Sequence, residues 1–177
     1  MKTLGWALVC FAAVAIPATA RAQLPATGSV SVLGDVTADG LTISSTTPLN
    51  FGILIPGTPT TLNARTSANA GKFDIRGAQR AEFTLTLTLP SELRVGIGPL
   101  TMPVTFDGTS GCHAPRDNQN SCSTYDPSTV LTARIRNRTA PDNTFFVWLG
   151  GTVTPAVGQS PGVYTAVISA LVQYTGN

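Results

Sequence analysis

The chain carries little charge and few of the side chains that perform catalysis. Only 11% of its 177 residues are Asp, Glu, Lys or Arg, and His113 is the single histidine. Any mechanism that needs a histidine as acid or base would therefore have to use His113. Since no pair of acid–base groups converges in the sequence, we expect no enzyme activity, no cofactor and no metal site.

Long apolar runs are also missing beyond the amino terminus. Lys2 provides a positive start, and residues 4–16 form an apolar stretch too short to span a bilayer. A cleavage site for signal peptidase follows, at Ala20-Arg21-Ala22 or, as a second choice, at Ala18-Thr19-Ala20. The first choice predicts a signal peptide over residues 1–22, export to the periplasm, outer surface or exterior of the cell, and no transmembrane segment after cleavage.

Cleavage of the signal peptide removes the apparent excess of positive charge. Loss of Lys2 and Arg21 lowers the basic residues from 11 to nine, which equals the nine acidic residues. A neutral chain lacks the general attraction that drives binding to nucleic acid, so we expect no nucleic-acid partner. The remainder of the chain has the size of one ordinary domain.

Helical periodicity is absent after residue 22, and alternating patterns take its place. Phe83, Leu85, Leu87 and Leu89 alternate with three threonines, which places the four apolar side chains on one face of a strand. Residues 163–174 alternate in the same way, with apolar side chains on both faces, as in a strand inside a sandwich. Weaker candidate strands cover residues 41–44, 49–55, 71–75, 93–95, 102–106, 129–135 and 144–153.

Turn dipeptides separate nearly all of these candidate strands, because Gly supplies positive φ and Pro presets φ for a turn. The dipeptides are Asp39-Gly40, Pro56-Gly57, Asp107-Gly108, Gly150-Gly151 and Pro161-Gly162. Strands at this spacing predict an all-β domain over residues 37–177, built as a two-sheet antiparallel β-sandwich. Residues 23–36 are either a first strand or an N-terminal extension.

Cys112 and Cys122 are the cysteines that remain after cleavage, since Cys10 leaves with the signal peptide. They enclose a polar loop in an oxidising compartment, so we predict a disulfide that pins this loop. We expect His113 to be an exposed side chain of the same loop. A metal site using these three residues is a weak alternative, because adjacent ligands are awkward and no fourth ligand is specified.

Two motifs imitate known sites without the context that those sites need. Residues 158–162 read G-x-S-x-G around Ser160, but Pro161 has no N–H for an oxyanion hole, and a strand rather than a helix is predicted to follow. Asp117, Asn118 and Asn120 are rich in oxygen but lack the spacing of a calcium loop. We interpret both motifs as loop chemistry.

A stripe of arginines is the remaining candidate site. Arg134, Arg136 and Arg138 recur at period two around Ile135, which would place three guanidinium groups along one strand face. Such a patch could bind an anionic glycan or the carboxylates of a partner. Equally, it could be a solvated face that discourages edge-to-edge aggregation.

Several short strand and turn motifs follow one another along residues 37–177. They are Leu49-Asn50-Phe51-Gly52, Ile55-Pro56-Gly57, residues 71–77, residues 83–90, Leu149-Gly150-Gly151-Thr152-Val153 and Pro161-Gly162-Val163-Tyr164 before a terminal Tyr174. In that order they resemble a family of exported bacterial proteins catalogued as a domain of unknown function, itself similar to spore-coat-protein-U-type and chaperone–usher pilin-like domains. The loop with Cys112 and Cys122 looks like an insertion relative to that pattern.

The resemblance implies an immunoglobulin-like sandwich that polymerises when an N-terminal extension of one subunit fills a groove in its neighbour. In this chain the possible donor strand is residues 28–36, with Val30, Val32 and Val36 as the side chains that enter the groove. The alternative is that residues 28–36 form an ordinary first strand within their own domain. The family carries no established catalytic residues, so the resemblance transfers no site.

The resemblance therefore implies a non-enzymatic, pilin-like extracytoplasmic structural subunit of a fimbria at a Gram-negative surface. Its expected partners are copies of itself or other surface subunits, together with a periplasmic chaperone and an outer-membrane usher. The alternative is a monomeric secreted or periplasmic module, adhesin-like, that binds a glycan or protein through the Cys112–Cys122 loop and the arginine stripe.

Overall fold

The computed structural model describes residues 40–140 and 142–176. These residues form an all-β fold of antiparallel strands with one 3₁₀ turn at Gln119–Ser121, which confirms the predicted fold class. No helix in these two ranges is long and apolar enough to cross a membrane. The predicted signal peptide and residues 23–36 lie outside the described residues.

Twelve strands make up the described part of the chain. They are β1 (Thr42–Thr47), β2 (Thr60–Leu62), β3 (Gly71–Arg76), β4 (Glu82–Thr88), β5 (Glu92–Arg94), β6 (Thr101–Thr105), β7 (Gly111–Ala114), β8 (Ser123–Tyr125), β9 (Leu131–Arg134), β10 (Thr144–Leu149), β11 (Gly151–Val153) and β12 (Ser169–Tyr174).

Hydrogen bonding groups these strands into three sheets rather than the two that were predicted. One sheet has the order β1-β3-β10-β7-β8, a second β2-β11-β6-β5, and a third β12-β4-β9. β1 and β12 therefore each end a sheet. The first two sheets are continuous through the chain, because β10 runs into β11 across a single residue, Gly150.

The main core lies between the first and third sheets. Phe83, Leu85 and Leu87 on β4 are all buried and pack against residues of β3 and β10. The rings of Phe83 and Phe145 meet edge to face with centroids 5.4 Å apart, a favourable geometry for aromatic pairs. The alternation that predicted this strand is thus confirmed, and it places one face of β4 in the interior of a sandwich.

Gly150 explains why the predicted strand over residues 144–153 becomes two strands. A Cβ at this position would collide with the carbonyl oxygen of Leu62, and its N–H donates to the carbonyl of Ser110 at 2.7 Å. The next residue, Gly151, has a φ of 153°, which side-chain-bearing residues rarely adopt. The glycine pair therefore lets the chain leave one sheet and enter the next.

Two predicted strands are absent or shorter in the structure. Residues 49–55 form no strand, and residues 163–174 pair as a strand only from Ser169 onward. Gly52 has a φ of 71° and its N–H binds the side-chain oxygen of Asn50, so the first segment turns locally. Conversely, β2, β7 and β8 were not predicted, since each has at most four residues and a weak pattern.

Candidate functional site

An apolar groove with a volume of about 1010 Å³ opens beside the main core. Its walls are residues between Ser45 and Pro56 on one side and residues between Gln159 and Ile168 on the other. The apolar side chains that line its interior come from β3, β5, β6 and β10, and from the residue that follows β6. They are Phe73, Leu93, Met102, Val104, Phe106 and Leu149.

Outside the lining of the groove, residues at the start of β1 and at the end of β12 approach the same glycine. The hydroxyl of Tyr174 accepts a hydrogen bond of 2.6 Å from the N–H of Ala78. A Cβ at Gly77 would lie 2.7 Å from that hydroxyl and 3.0 Å from a methyl group of Leu41, the residue before β1, so there is no room for a side chain at Gly77.

A cluster of polar contacts organises the wall formed by residues 159–168. The amide nitrogen of Gln159 donates to the carbonyl of Thr101 at 3.1 Å and to the hydroxyl of Tyr164 at 2.6 Å. That hydroxyl in turn donates to the carbonyl of Ser160 at 2.8 Å. Residues 158–162, the G-x-S-x-G match, therefore form a loop held by hydrogen bonds. An isolated bridge at Thr165 and then β12 follow this loop, and no helix does.

The rim of the groove exposes large apolar side chains to solvent. Ile53 is 99% exposed on one wall, while Val163 and Val167 are 80% and 81% exposed on the other. Single exposed apolar residues are ordinary, but these three all line one apolar groove. Such a surface is typical of a site that another polypeptide covers.

The strand edges beside the groove are also available for pairing. β1 and β12 are terminal strands of their sheets in the described part of the chain. Unpaired edges of this kind accept an added strand through main-chain hydrogen bonds. Ser45 and Thr47 of β1 line the groove, and its lining reaches Ile168, the residue before β12. The groove therefore combines an apolar lining with the edge of β1, the two features that suit binding of an extended peptide.

The predicted donor residues Val30, Val32 and Val36 lie outside the described residues. The turn predicted at Asp39-Gly40 also stays a prediction, because Asp39 lies outside the described residues.

The predicted disulfide joins Cys112 and Cys122, whose Cα atoms lie 5.7 Å apart. Both cysteines are buried, and they pack with Trp148 and Ala64 in a small second core on the outer face of the first sheet. The predicted disulfide is confirmed. Residues 115–118 and 120–121 between the cysteines are exposed, so the bond pins a surface loop to a buried cluster.

His113 is not the exposed loop side chain that the sequence predicted. It lies in β7, opposite Val147 of β10, and is only partly exposed. Its ring stacks on Phe145 and meets Tyr125 edge to face, each with centroids 5.6 Å apart. Alternation along β7 explains the error, because His113 and Cys112 point to opposite faces and both faces are covered.

Burial shapes the ionisation of this aromatic cluster. It lowers the pKa of His113 and raises the pKa of Tyr125, because the charged form of each side chain is disfavoured away from water. The Tyr125 hydroxyl has no hydrogen-bond partner among the described residues. Both groups are therefore neutral near pH 7, as suits a packing role.

The three arginines do not follow a single strand. β9 ends at Arg134, which lies opposite Glu82 of β4. The N–H of Arg138 then donates to the carbonyl of Arg136 at 2.9 Å, a tight turn that bends the chain. Arg138 also lies 4.0 Å from the carboxylate of Asp142. The uniform stripe of cations that period two predicted is thus broken.

No group of three or more His, Cys, Asp or Glu side chains that could hold a metal occurs within residues 40–140 and 142–176. Comparison of the chain with protein-family models and with curated proteins finds no match. The resemblance to exported pilin-like proteins therefore stays a prediction, and the groove is the candidate functional site.

Proposed function

We propose that this protein is a non-enzymatic extracytoplasmic structural subunit, immunoglobulin-like and pilin-like, that assembles at the bacterial surface. In this proposal residues 28–36 of one copy insert as a strand into the groove of the next copy. The observation that carries the proposal is the groove itself, with its apolar interior and its two terminal strands. A periplasmic chaperone and an outer-membrane usher are the partners that such assembly implies.

The two walls of the groove support a missing strand in particular. Residues 49–55 and 163–168 have sequence patterns of strands, yet both lie outside the strands of the described chain. Each wall makes only scattered backbone contacts of the kind seen between Arg94 and Thr165. A strand placed between these walls would supply the pairing partner that their patterns are suited to.

The proposed occupant fits the groove in length and chemistry. Nine extended residues span about 30 Å at 3.3 Å per residue, which exceeds the length of the six-residue wall formed by residues 163–168. Val30, Val32 and Val36 lie on one face of such a strand, with Gly34 between them. Their burial would stabilise the complex by about 1.5 kcal/mol or more per side chain.

A tight hairpin at Asp39-Gly40 would return residues 28–36 alongside the edge of β1 of their own domain. Pairing of residues 28–36 within their own domain remains the competing outcome that the experiment must detect.

The experiment compares two double variants of the mature protein by size-exclusion chromatography with light scattering. Val30→Asp with Val32→Asp places two charges on the face that enters the groove, and we expect it to abolish assembly. Ser29→Asp with Ser31→Asp is the matched control, because it adds the same charges to the opposite face of the same segment. We expect the control to assemble like the parent protein.

A second measurement keeps the test independent of folding defects. Protein without residues 23–36 should be monomeric, and a synthetic peptide of residues 28–36 should bind it and raise its thermal stability. A monomeric parent protein, or equal assembly of the two double variants, would contradict the proposal. A monomeric parent that loses stability only with the valine variant would indicate pairing within one chain instead.

A further inference from the structure

A second, polar pocket lies on the outer face of the first sheet, beneath the loop between Cys112 and Cys122. Its volume is about 430 Å³, within the range of small-ligand sites. It is lined by Lys72 and Trp148 of the sheet and by Asp117, Asn118 and Asn120 of the loop. Thr47 of β1 is the one described residue that lines both this pocket and the groove, and the pocket has no role in the assembly proposed above.

The loop over this pocket is held in place along its whole length. Besides the disulfide, the side-chain nitrogen of Gln119 donates to the carbonyls of Ala64 and Ser67, at 2.8 and 2.9 Å. The guanidinium of Arg65 donates to the carbonyl of Asn120 at 2.9 Å. A polar surface loop fixed in this way loses little conformational entropy when it binds a ligand.

The charges in the pocket are already compensated. The Lys72 ammonium lies 2.8 Å from an oxygen of Asp117 and 3.8 Å from an oxygen of Asp74, and it sits over the rings of Phe146 and Trp148. An anionic ligand would therefore meet a neutralised cation beside two carboxylates. A metal ion would find only two carboxylates, both engaged by the lysine.

Neutral hydrogen-bonding groups remain on the loop. Asn118 and Asn120 are exposed, and each amide offers donors and an acceptor within one planar group. Asp117 is 58% exposed and is oriented by Lys72, so its second oxygen can accept hydrogen bonds. A ligand that satisfies this set must be uncharged and carry several adjacent hydroxyl or amide groups.

We infer that this pocket binds a neutral sugar. Asp117, Asn118 and Asn120 hydrogen-bond its hydroxyl groups. Trp148 lines the pocket but is only 3% exposed, so hydrogen bonds rather than ring stacking hold the sugar. The inference does not depend on assembly through the groove, since it rests on the disulfide loop and the outer face of β3 and β10. The protein would then carry a recognition site on the side of each subunit.

The test uses saturation-transfer NMR on the mature protein with glucose, galactose, mannose and N-acetylglucosamine as the probes. This method works for both a monomer and a large assembly. At least one of the four sugars should bind the parent protein. Asn118→Ala with Asn120→Ala should weaken that binding about tenfold or more, because two neutral hydrogen bonds are lost.

Asn137→Ala is the matched control, since Asn137 is an exposed asparagine on a loop away from the pocket. It should bind the same sugar as tightly as the parent protein. Replacement of Cys112 and Cys122 by serine should also weaken binding, provided that circular dichroism shows an intact fold. Failure of all four sugars to bind, or equal binding by the pocket variant and the control, would overturn the inference.

Discussion

Two regions of this molecule share one sequence pattern and have opposite surroundings. In β4, alternation places Phe83, Leu85 and Leu87 in the interior, with at most 8% of any of them exposed. In residues 163–168, alternation continues upstream of β12, but Val163 and Val167 are more than three-quarters exposed. β4 has a paired strand on each side, whereas residues 163–168 border the groove.

The difference shows that an alternating apolar pattern predicts a strand that must be covered by other residues, but does not identify those residues. β4 finds its partners in β9 and β12 of the same chain. In residues 163–168 one face has partners, since Tyr164 and Ile168 pack against buried clusters, while Val163 and Val167 of the other face are exposed. Under the proposed assembly, the strand of another copy would cover this exposed face.

The largest expected effect separates the two regions by stability. Phe83→Ala removes a buried ring from the contact with Phe145 and should lower the free energy of unfolding by about 3 to 5 kcal/mol. Denaturant titration of the protein lacking residues 23–36 measures it without interference from assembly. A loss below about 1 kcal/mol would mean that the sandwich core does not govern stability.

The disulfide should have the next largest effect. Replacement of Cys112 and Cys122 by serine should cost about 2 to 3 kcal/mol, because the open chain of the unfolded state regains the entropy of a short closed loop. No residue of the loop lines the groove, and only Thr47 lines both the groove and the pocket beneath the loop, so we expect binding of the 28–36 peptide to be unchanged. Loss of peptide binding would show that loop and groove are coupled.

A smaller effect should appear in the pH dependence of stability. Burial lowers the pKa of His113 below its ordinary 6.5, so the unfolded chain takes up the proton first as the pH falls. Stability should therefore decrease as the pH falls below about 6.5, and His113→Gln should flatten this part of the profile.

Asp107 and Asp126 act in a different pH window. Hydrogen bonds from Thr109 and Ser110 lower the pKa of Asp107, and hydrogen bonds from Ser128 lower that of Asp126, both from an ordinary 3.8. Their contribution to stability is lost only in more acidic solution, as the pH falls through their folded-state pKa values.

The His113 prediction is checked by measuring the free energy of unfolding between pH 5 and 7. If His113→Gln leaves this pH profile unchanged, burial of His113 does not contribute to it.

The smallest change in stability should come from the groove rim. Val163→Ser with Val167→Ser alters exposed side chains, so the free energy of unfolding should change by about 0.5 kcal/mol or less. Binding of the 28–36 peptide should nevertheless weaken, since these valines flank the groove. If peptide binding is unaffected, Val163 and Val167 do not contribute to the site, and their exposure gives no information about assembly.

Much of the fold could be predicted from residues whose burial is dictated locally. Phe83, Leu85 and Leu87 alternate so regularly that a half-buried strand was the direct prediction. Cys112 and Cys122 indicated a disulfide because they are the two cysteines left after signal-peptide cleavage and the compartment is oxidising. His113 could not be placed in the same way. Its environment depends on Phe145 and Tyr125, which join it only because β7 pairs with both β10 and β8.

The groove was beyond prediction from the sequence for a related reason. Residues 49–55 and 163–168 each read as a strand, and no local signal distinguishes a strand with a partner from one without. Only the position of β1 and β12 at the ends of two different sheets leaves both segments facing a common gap.

The sequence by itself determined the all-β class, the identity of the main core strand and the closed polar loop, because each depends on neighbours within about ten residues. The tertiary structure alone decided that there are three sheets, that the arginines diverge and that two edges flank one groove. These features arise from pairing between residues that are distant along the chain. The free energy of such pairing depends on both partner segments, so the sequence of one segment cannot predict it.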